Sequence, residues 1–80
     1  MKAQIRITLK DGVLDPQGKA IEGALSALGF SGVNDVRQGK FIELDLSETD
    51  EAKARSQIER MCEELLANTV IESYAYELVT

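Results

Sequence analysis

Gly12–Ile21 reads Gly-Val-Leu-Asp-Pro-Gln-Gly-Lys-Ala-Ile, and within these few residues a strand ends and a helix begins. Before it, Lys2 to Lys10 alternates, with Ala3, Ile5, Ile7 and Leu9 on one face and Gln4, Arg6, Thr8 and Lys10 on the other. That pattern is a half-buried strand. After it, the Asp15 side chain can accept from the free N–H groups of a first helical turn. Pro16 stands where its missing N–H costs nothing and its fixed φ suits a helix. A helix is therefore expected to start at Asp15-Pro16. Gly12 and Gly18 belong to the same structural turn. Gly18 is a poor helix residue, so either its backbone needs freedom or a neighbour packs too closely for a Cβ.

A glycine-rich strand-to-helix junction can also cradle phosphate. The spacing argues against that here. Gly12 and Gly18 match neither the dinucleotide fingerprint nor the P-loop, Ala20 stands where Ser or Thr is needed, and Asp15 brings a negative charge to the phosphate position.

Working outward, the first helix is expected from Pro16 to Leu28, with Ala20, Ile21, Ala24, Leu25 and Leu28 on one face. Gly29 is its left-handed stop, and Phe30 is expected in the core. Val33 to Leu46 reads as extended but is interrupted at Gln38-Gly39, either by a hairpin, which is preferred, or by a bulge in one bent strand. Ser47 to Asp50 offers several N-caps. The second helix carries Ala54, Ile58, Met61, Cys62, Leu65 and Leu66 at helical spacing and ends near Asn68. Val70 to Val79 is the last strand, with Tyr74, Tyr76 and Leu78 on one face.

This order predicts an α+β two-layer sandwich, a mainly antiparallel sheet of three to four strands with two helices on one face. It is ferredoxin-like if Gly39 makes a hairpin and a βαβαβ variant otherwise. Residues 1–80 are read as one domain. A chain this short buries only about 60–65 % of its unfolded surface, and apolar residues on the second side of the last strand ask for further cover. A homodimer or larger homo-oligomer is the expected remedy.

The net charge of −5, from 14 acidic and 9 basic residues, disfavours a nucleic acid or an anionic membrane as partner. The four aromatics, Phe30, Phe41, Tyr74 and Tyr76, are not interleaved with basic residues as a base-stacking surface needs. No apolar run approaches the length of a membrane span, and Met1-Lys2 leads straight into a strand, so a cytoplasmic location is expected.

Catalytic chemistry finds little to work with. The chain has no histidine, and its one cysteine, Cys62, lies on the apolar face of the second helix, where it reads as a buried structural thiol. Glu59, Glu63 and Glu64 could gather a cation, but Arg55 and Arg60 are close enough to neutralise them, and no metal is expected. No catalytic or cofactor-binding residue is assigned. Arg37 and Lys40, on either side of Gly39, can contact a partner, hold a small anion or serve as surface charge. Tyr74 and Tyr76 fit either core or interface.

Four segments together carry a family resemblance: Leu9–Gly18 (LKDGVLDPQG), Leu28-Gly-Phe, Val36–Lys40 (VRQGK), and Met61–Asn68 (MCEELLAN) followed by Val70-Ile-Glu72. In this order they resemble the PurS subunit family of phosphoribosylformylglycinamidine synthase over nearly the whole chain. Thr69 departs from that pattern, which usually reads Asn-Pro-Val, and leaves the stop of the second helix less rigidly set. The resemblance implies a small non-catalytic subunit in de novo purine biosynthesis. Such a subunit bridges a synthetase subunit, PurL, which uses ATP and Mg, to a glutaminase subunit, PurQ, and supports ammonia transfer. It implies no cofactor in this chain. The alternative from the residues alone is an ACT-like regulatory domain binding a small metabolite at a dimer interface.

Overall fold

The computed structural model describes residues 1–79. Three strands, β1 (Lys2–Leu9), β2 (Gly39–Asp45) and β3 (Glu72–Val79), form one antiparallel sheet in the order β2-β1-β3. Helices α1 (Pro16–Ala27) and α2 (Glu51–Met61) separate them, and a π-helical turn, Cys62–Leu66, extends α2. The class is the expected α+β in its βαβαβ form. The preferred hairpin does not occur: residues 33–38 lie outside the sheet, and Gly39 is the first residue of β2.

The central strand sets the core. Ile5 stands between Ile42 and Tyr76, and Ala3 between Leu44 and Leu78. Ala3, Ile5 and Ile7 are fully buried beneath Ile58 and Cys62. This is the alternation of Lys2–Lys10 made physical, because a period of two sends every second side chain to one face. The opposite face carries Lys2, Gln4, Arg6 and Thr8, with Arg6 paired to Glu77 at 3.6 Å and lying over the Phe41 ring. Asp50 caps α2 by accepting from the N–H groups of Ala52 and Lys53.

The expectation that both helices cover one sheet face is corrected. Only α2 does so. In α1 the one buried residue is Gly18, while Leu28 is 74 % exposed and Phe30, expected in the core, is 59 % exposed. The topology explains this. β1 and β2 are antiparallel neighbours, with Thr8 paired to Gly39, so residues 10–38 leave and re-enter at the same end of the sheet. An eight-residue strand is about 26 Å long and a twelve-residue helix about 18 Å. Their sum approaches the 49 Å long axis of the molecule, as expected for a helix standing off the end of the sheet. The radius of gyration is 16.0 Å, whereas a compact domain of 80 residues has about 12 Å.

Candidate functional site

The root of this arm is held by two long-range clasps. Gly12 takes a positive φ of 86°, turning the chain out of β1. Asp15 follows in extended conformation, 8 % exposed. Its Oδ1 accepts from the Gly18 N–H at 2.9 Å, the expected cap, and Pro16 is the first helical residue. Its Oδ2 accepts from the Gln38 N–H at 2.8 Å, a bond no local pattern announces. Those amides, Gln38 foremost and then Gly18, hold the Asp15 carboxyl below the usual aspartate range against an opposing cost of burial, and the nearby Arg37 charge adds to the lowering. From the returning segment, the Arg37 guanidinium donates to the carbonyl oxygens of Leu9 and Lys10.

Gly18 is explained by close approach. A Cβ there would run into the Val36 carbonyl oxygen and lie 2.8 Å from Asp15 Oδ2. Gly39 is similarly tight, since a Cβ would meet the Ile7 carbonyl and come 2.7 Å from Thr8 Cγ2. The segment before β2 is therefore pressed against the start of α1 and the end of β1.

Asp15→Ala removes a partner from two backbone N–H groups, while Asp50→Ala exposes one helix start to water. The latter is expected to cost about 1 kcal/mol, and Asp15→Ala is expected to lower the urea midpoint further. The dependence on pH has a definite sign. Because the folded-state pKa of Asp15 is lowered, its contribution is complete above the unfolded value of about 3.9. It is lost as pH falls through the folded value, so wild type should lose more stability than Asp15→Asn on acidification below about pH 4.

The candidate interface residues divide. Lys40 and Tyr74 oppose Ile7 from the two sides of β1, and Tyr76 lies one row along, opposite Ile5. Lys40 Nζ is 3.7 Å from Glu72, the Tyr74 hydroxyl donates to Glu63 at 3.1 Å, and Arg55 lies over the Tyr76 ring. Burial, and then Glu63, push the Tyr74 hydroxyl pKa up. Arg37, Gly39 and Lys40 are thus already engaged within the chain, at the arm's root. Two open clefts flank that root. One, of about 300 Å³, is lined by residues including Asp15, Gln38 and Lys40, and the other, of about 330 Å³, by residues including Lys19, Asp35 and Arg37. Both mix charges of either sign, which suits a rigid joint better than an anion site.

Cys62 is fully buried, as expected, and desolvation leads in raising its thiol pKa, with Glu63 and Glu59 adding to it. Arg60 pairs with Glu64 at 3.2 Å, and Arg55 with Glu51 at 2.9 Å. Among the described residues no group of three His, Cys, Asp or Glu side chains converges on a common point.

What reasoning from the sequence did not anticipate is the amount of apolar surface left open. Leu14, Leu28, Leu65 and Val70 are each more than 70 % exposed. The available signal is the amphipathic stripe of α1, which the sequence pattern assigns to this chain's own sheet.

Comparison with known proteins places this architecture. The family model described as PurS: Phosphoribosylformylglycinamidine (FGAM) synthase matches residues 2–80. The chain belongs to the PurS family. The PurS subunit of phosphoribosylformylglycinamidine synthase from a Synechocystis strain is 52 % identical over 75 residues, covering 94 % of this chain and 75 % of that one. The PurS subunit from Bacillus subtilis is 46 % identical over 77 residues, covering 96 % and 90 %. A crystal form of B. subtilis PurS superposes with a TM-score of 0.88 at 44 % identity, over 99 % of this chain and 98 % of that one. A chain of Thermotoga maritima PurLQS superposes with a TM-score of 0.89 at 33 % identity, over 98 % and 95 %. The high structural agreement makes the outstanding arm a feature of the PurS fold. The chain is accordingly a PurS subunit of the synthase of purine biosynthesis, and the ACT-like alternative is not favoured.

Proposed function

We propose that this chain is a non-catalytic adaptor that pairs with itself and holds an ATP-dependent synthetase subunit, PurL, against a glutaminase subunit, PurQ, so that ammonia passes between them. The observation that carries the reading is the open apolar arm on a chain whose own core uses only one helix and one sheet face. Surface of this kind marks interaction rather than chemistry. The Thermotoga relative that occurs in PurLQS supports it. In this reading ATP and Mg act in the synthetase subunit and none is held here. The location is cytoplasmic, consistent with the lack, among the described residues, of any helix long and apolar enough to cross a membrane.

The test is formylglycinamidine ribonucleotide synthesis by the synthetase and glutaminase subunits, with and without this chain. Omission is expected to abolish most of the glutamine-dependent rate and to leave the rate with free ammonia largely intact. Equal rates with and without the chain under both conditions would overturn the adaptor reading.

A further inference from the structure

The arm leaves the sheet through residues 10–15 and returns through residues 36–38, and both passages are tied down. On the way out, the Lys10 N–H donates to the Ile71 carbonyl at 2.8 Å, and the Val13 N–H closes the Gly12 turn onto the Lys10 carbonyl at 3.1 Å. On the way back, the Gln38 N–H is held by Asp15, and the next residue, Gly39, is already paired with Thr8 in the sheet. Two side chains join one passage to the other. Asp15 reaches from the outgoing passage to Gln38, and Arg37 reaches from the returning passage to the carbonyl oxygens of Leu9 and Lys10, where β1 ends. Asp15 also caps α1, so its loss loosens the helix as well as the joint. Arg37 has no second duty.

Arg37 is exposed, and hydrogen bonds open to competing water contribute little to stability. Their effect is on geometry. A guanidinium is a planar fork with fixed donor directions, and held by two successive carbonyls it stops the returning passage from swinging about the end of β1. The arm magnifies any swing: a tilt of about 10° at the root carries the far end of a helix of about 18 Å by about 3 Å. That is enough to unseat an apolar stripe from a close-packed neighbour. Lys40, the other cation beside Gly39, takes no part in the joint and pairs with Glu72 within the sheet.

We propose that Arg37 is a positioning residue of the synthase: it locks the arm at a set angle to the sheet within the single chain, and it supports glutamine-dependent synthesis through that angle without touching a partner. An adaptor has to present its surfaces at a fixed spacing, and open apolar residues lie on both sides of this joint, Leu28 and Phe30 on the arm, Leu65 and Val70 on the body. A joint locked in advance spares the assembly the cost of ordering it on binding. The effect on synthesis rests on the adaptor reading, whereas the lock rests on the clasp alone.

The test reads angle and rate separately. Ser26→Cys, on the side of α1 away from its apolar stripe, and Glu43→Cys, on the outer face of β2 opposite Gln4, each carry a nitroxide, while the native Cys62 is fully buried and stays unlabelled. Doubly labelled chain is mixed through urea with an excess of unlabelled chain, so that double electron–electron resonance reads distances within one chain. The chain with Arg37 intact is expected to give one narrow distance, Lys40→Ala the same, and Arg37→Ala a broad distribution at a nearly unchanged urea midpoint. In formylglycinamidine ribonucleotide synthesis, the concentration of the Arg37→Ala chain that gives half the maximal glutamine-dependent rate is expected to rise about tenfold, the scale on which ordering a loose segment costs affinity, with the maximal rate kept. A narrow distance in Arg37→Ala would overturn the lock, and joined to a raised half-maximal concentration it would make Arg37 a direct partner contact. A broad distance with an unchanged half-maximal concentration would overturn the link from angle to synthesis. If the wild-type chain leaves the glutamine-dependent rate unaltered, the adaptor reading and that link fail together, and the distances still decide the lock.

Discussion

Gly18→Ala is expected to destabilise the chain by about 2 kcal/mol, and Gly23→Ala, five residues along the same helix, to stabilise it by about 0.5–1 kcal/mol. Helix propensity alone predicts a gain at both positions, because alanine loses less backbone freedom on folding than glycine. The neighbours decide the sign. Nothing lies within 4 Å of a Cβ at Gly23, whereas at Gly18 it would meet the Val36 backbone carbonyl and the capping carboxylate of Asp15. A backbone carbonyl held by the clasp cannot swing aside like the end of a side chain, so relief requires shifting residues 36–38 and stretching the bond from Gln38 N–H to Asp15. Urea denaturation of the two variants at one fixed chain concentration is the check, fixed because a self-associating chain has concentration-dependent stability. Equal midpoints would mean that the arm's root is looser than its hydrogen bonds imply.

Ile58→Ala is expected to cost more, about 3–4 kcal/mol, and to take the chain close to its stability limit. Ile58 is fully buried and is the largest side chain that α2 sends into the core, where it meets the β1 row of Ala3, Ile5 and Ile7. Its other buried companions on the helix side are small, Ala54, Cys62 and Ala67, and cannot swell to fill the space. The loss combines the transfer term of the removed carbons with a cavity that collapses poorly. Within the chain only one helix lies over the sheet, so no second helix of its own shares the burden. At a urea dependence of about 1 kcal/mol per molar, the midpoint should fall by about 3 M. A fall below 1 M would mean that α2 is held chiefly by its polar contacts, such as Tyr74 with Glu63.

Several features were legible because they depend on a few consecutive residues. The alternation of Lys2–Lys10 places Ala3, Ile5 and Ile7 inside, and Asp15 with Pro16 starts α1 where expected. Gly29 takes a positive φ of 98° just after its cap, and Cys62 is buried on the inner stripe of the second helix. Other features are invisible locally. The second bond of Asp15 spans 23 residues, and the Arg37 contacts span 27 and 28. The flexible-looking Gln38-Gly39 step suggests a hairpin by composition, yet the clasp fastens Gln38 to the helix cap and leaves Gly39 to open β2 against Thr8. The polar Thr8 side of β1 takes a glycine opposite because a Cβ would strike the strand itself.

Because periodicity, caps and turn residues act over distances of a few residues, the sequence by itself determined the two helices, the three strands that form the sheet, the inward face of each strand and the family, though not that the hairpin it favours at Gln38-Gly39 fails to form. Only the tertiary structure decided where α1 goes. Amphipathic spacing states that Ile21, Leu25 and Leu28 require an apolar neighbour, since water disfavours their exposure, but burial is non-directional and carries no label saying which chain supplies that neighbour. The antiparallel pairing of β1 with β2 and the two clasps at the arm's root show only that the neighbour is not this chain's own sheet, by holding the helix off the end to which its face would otherwise return.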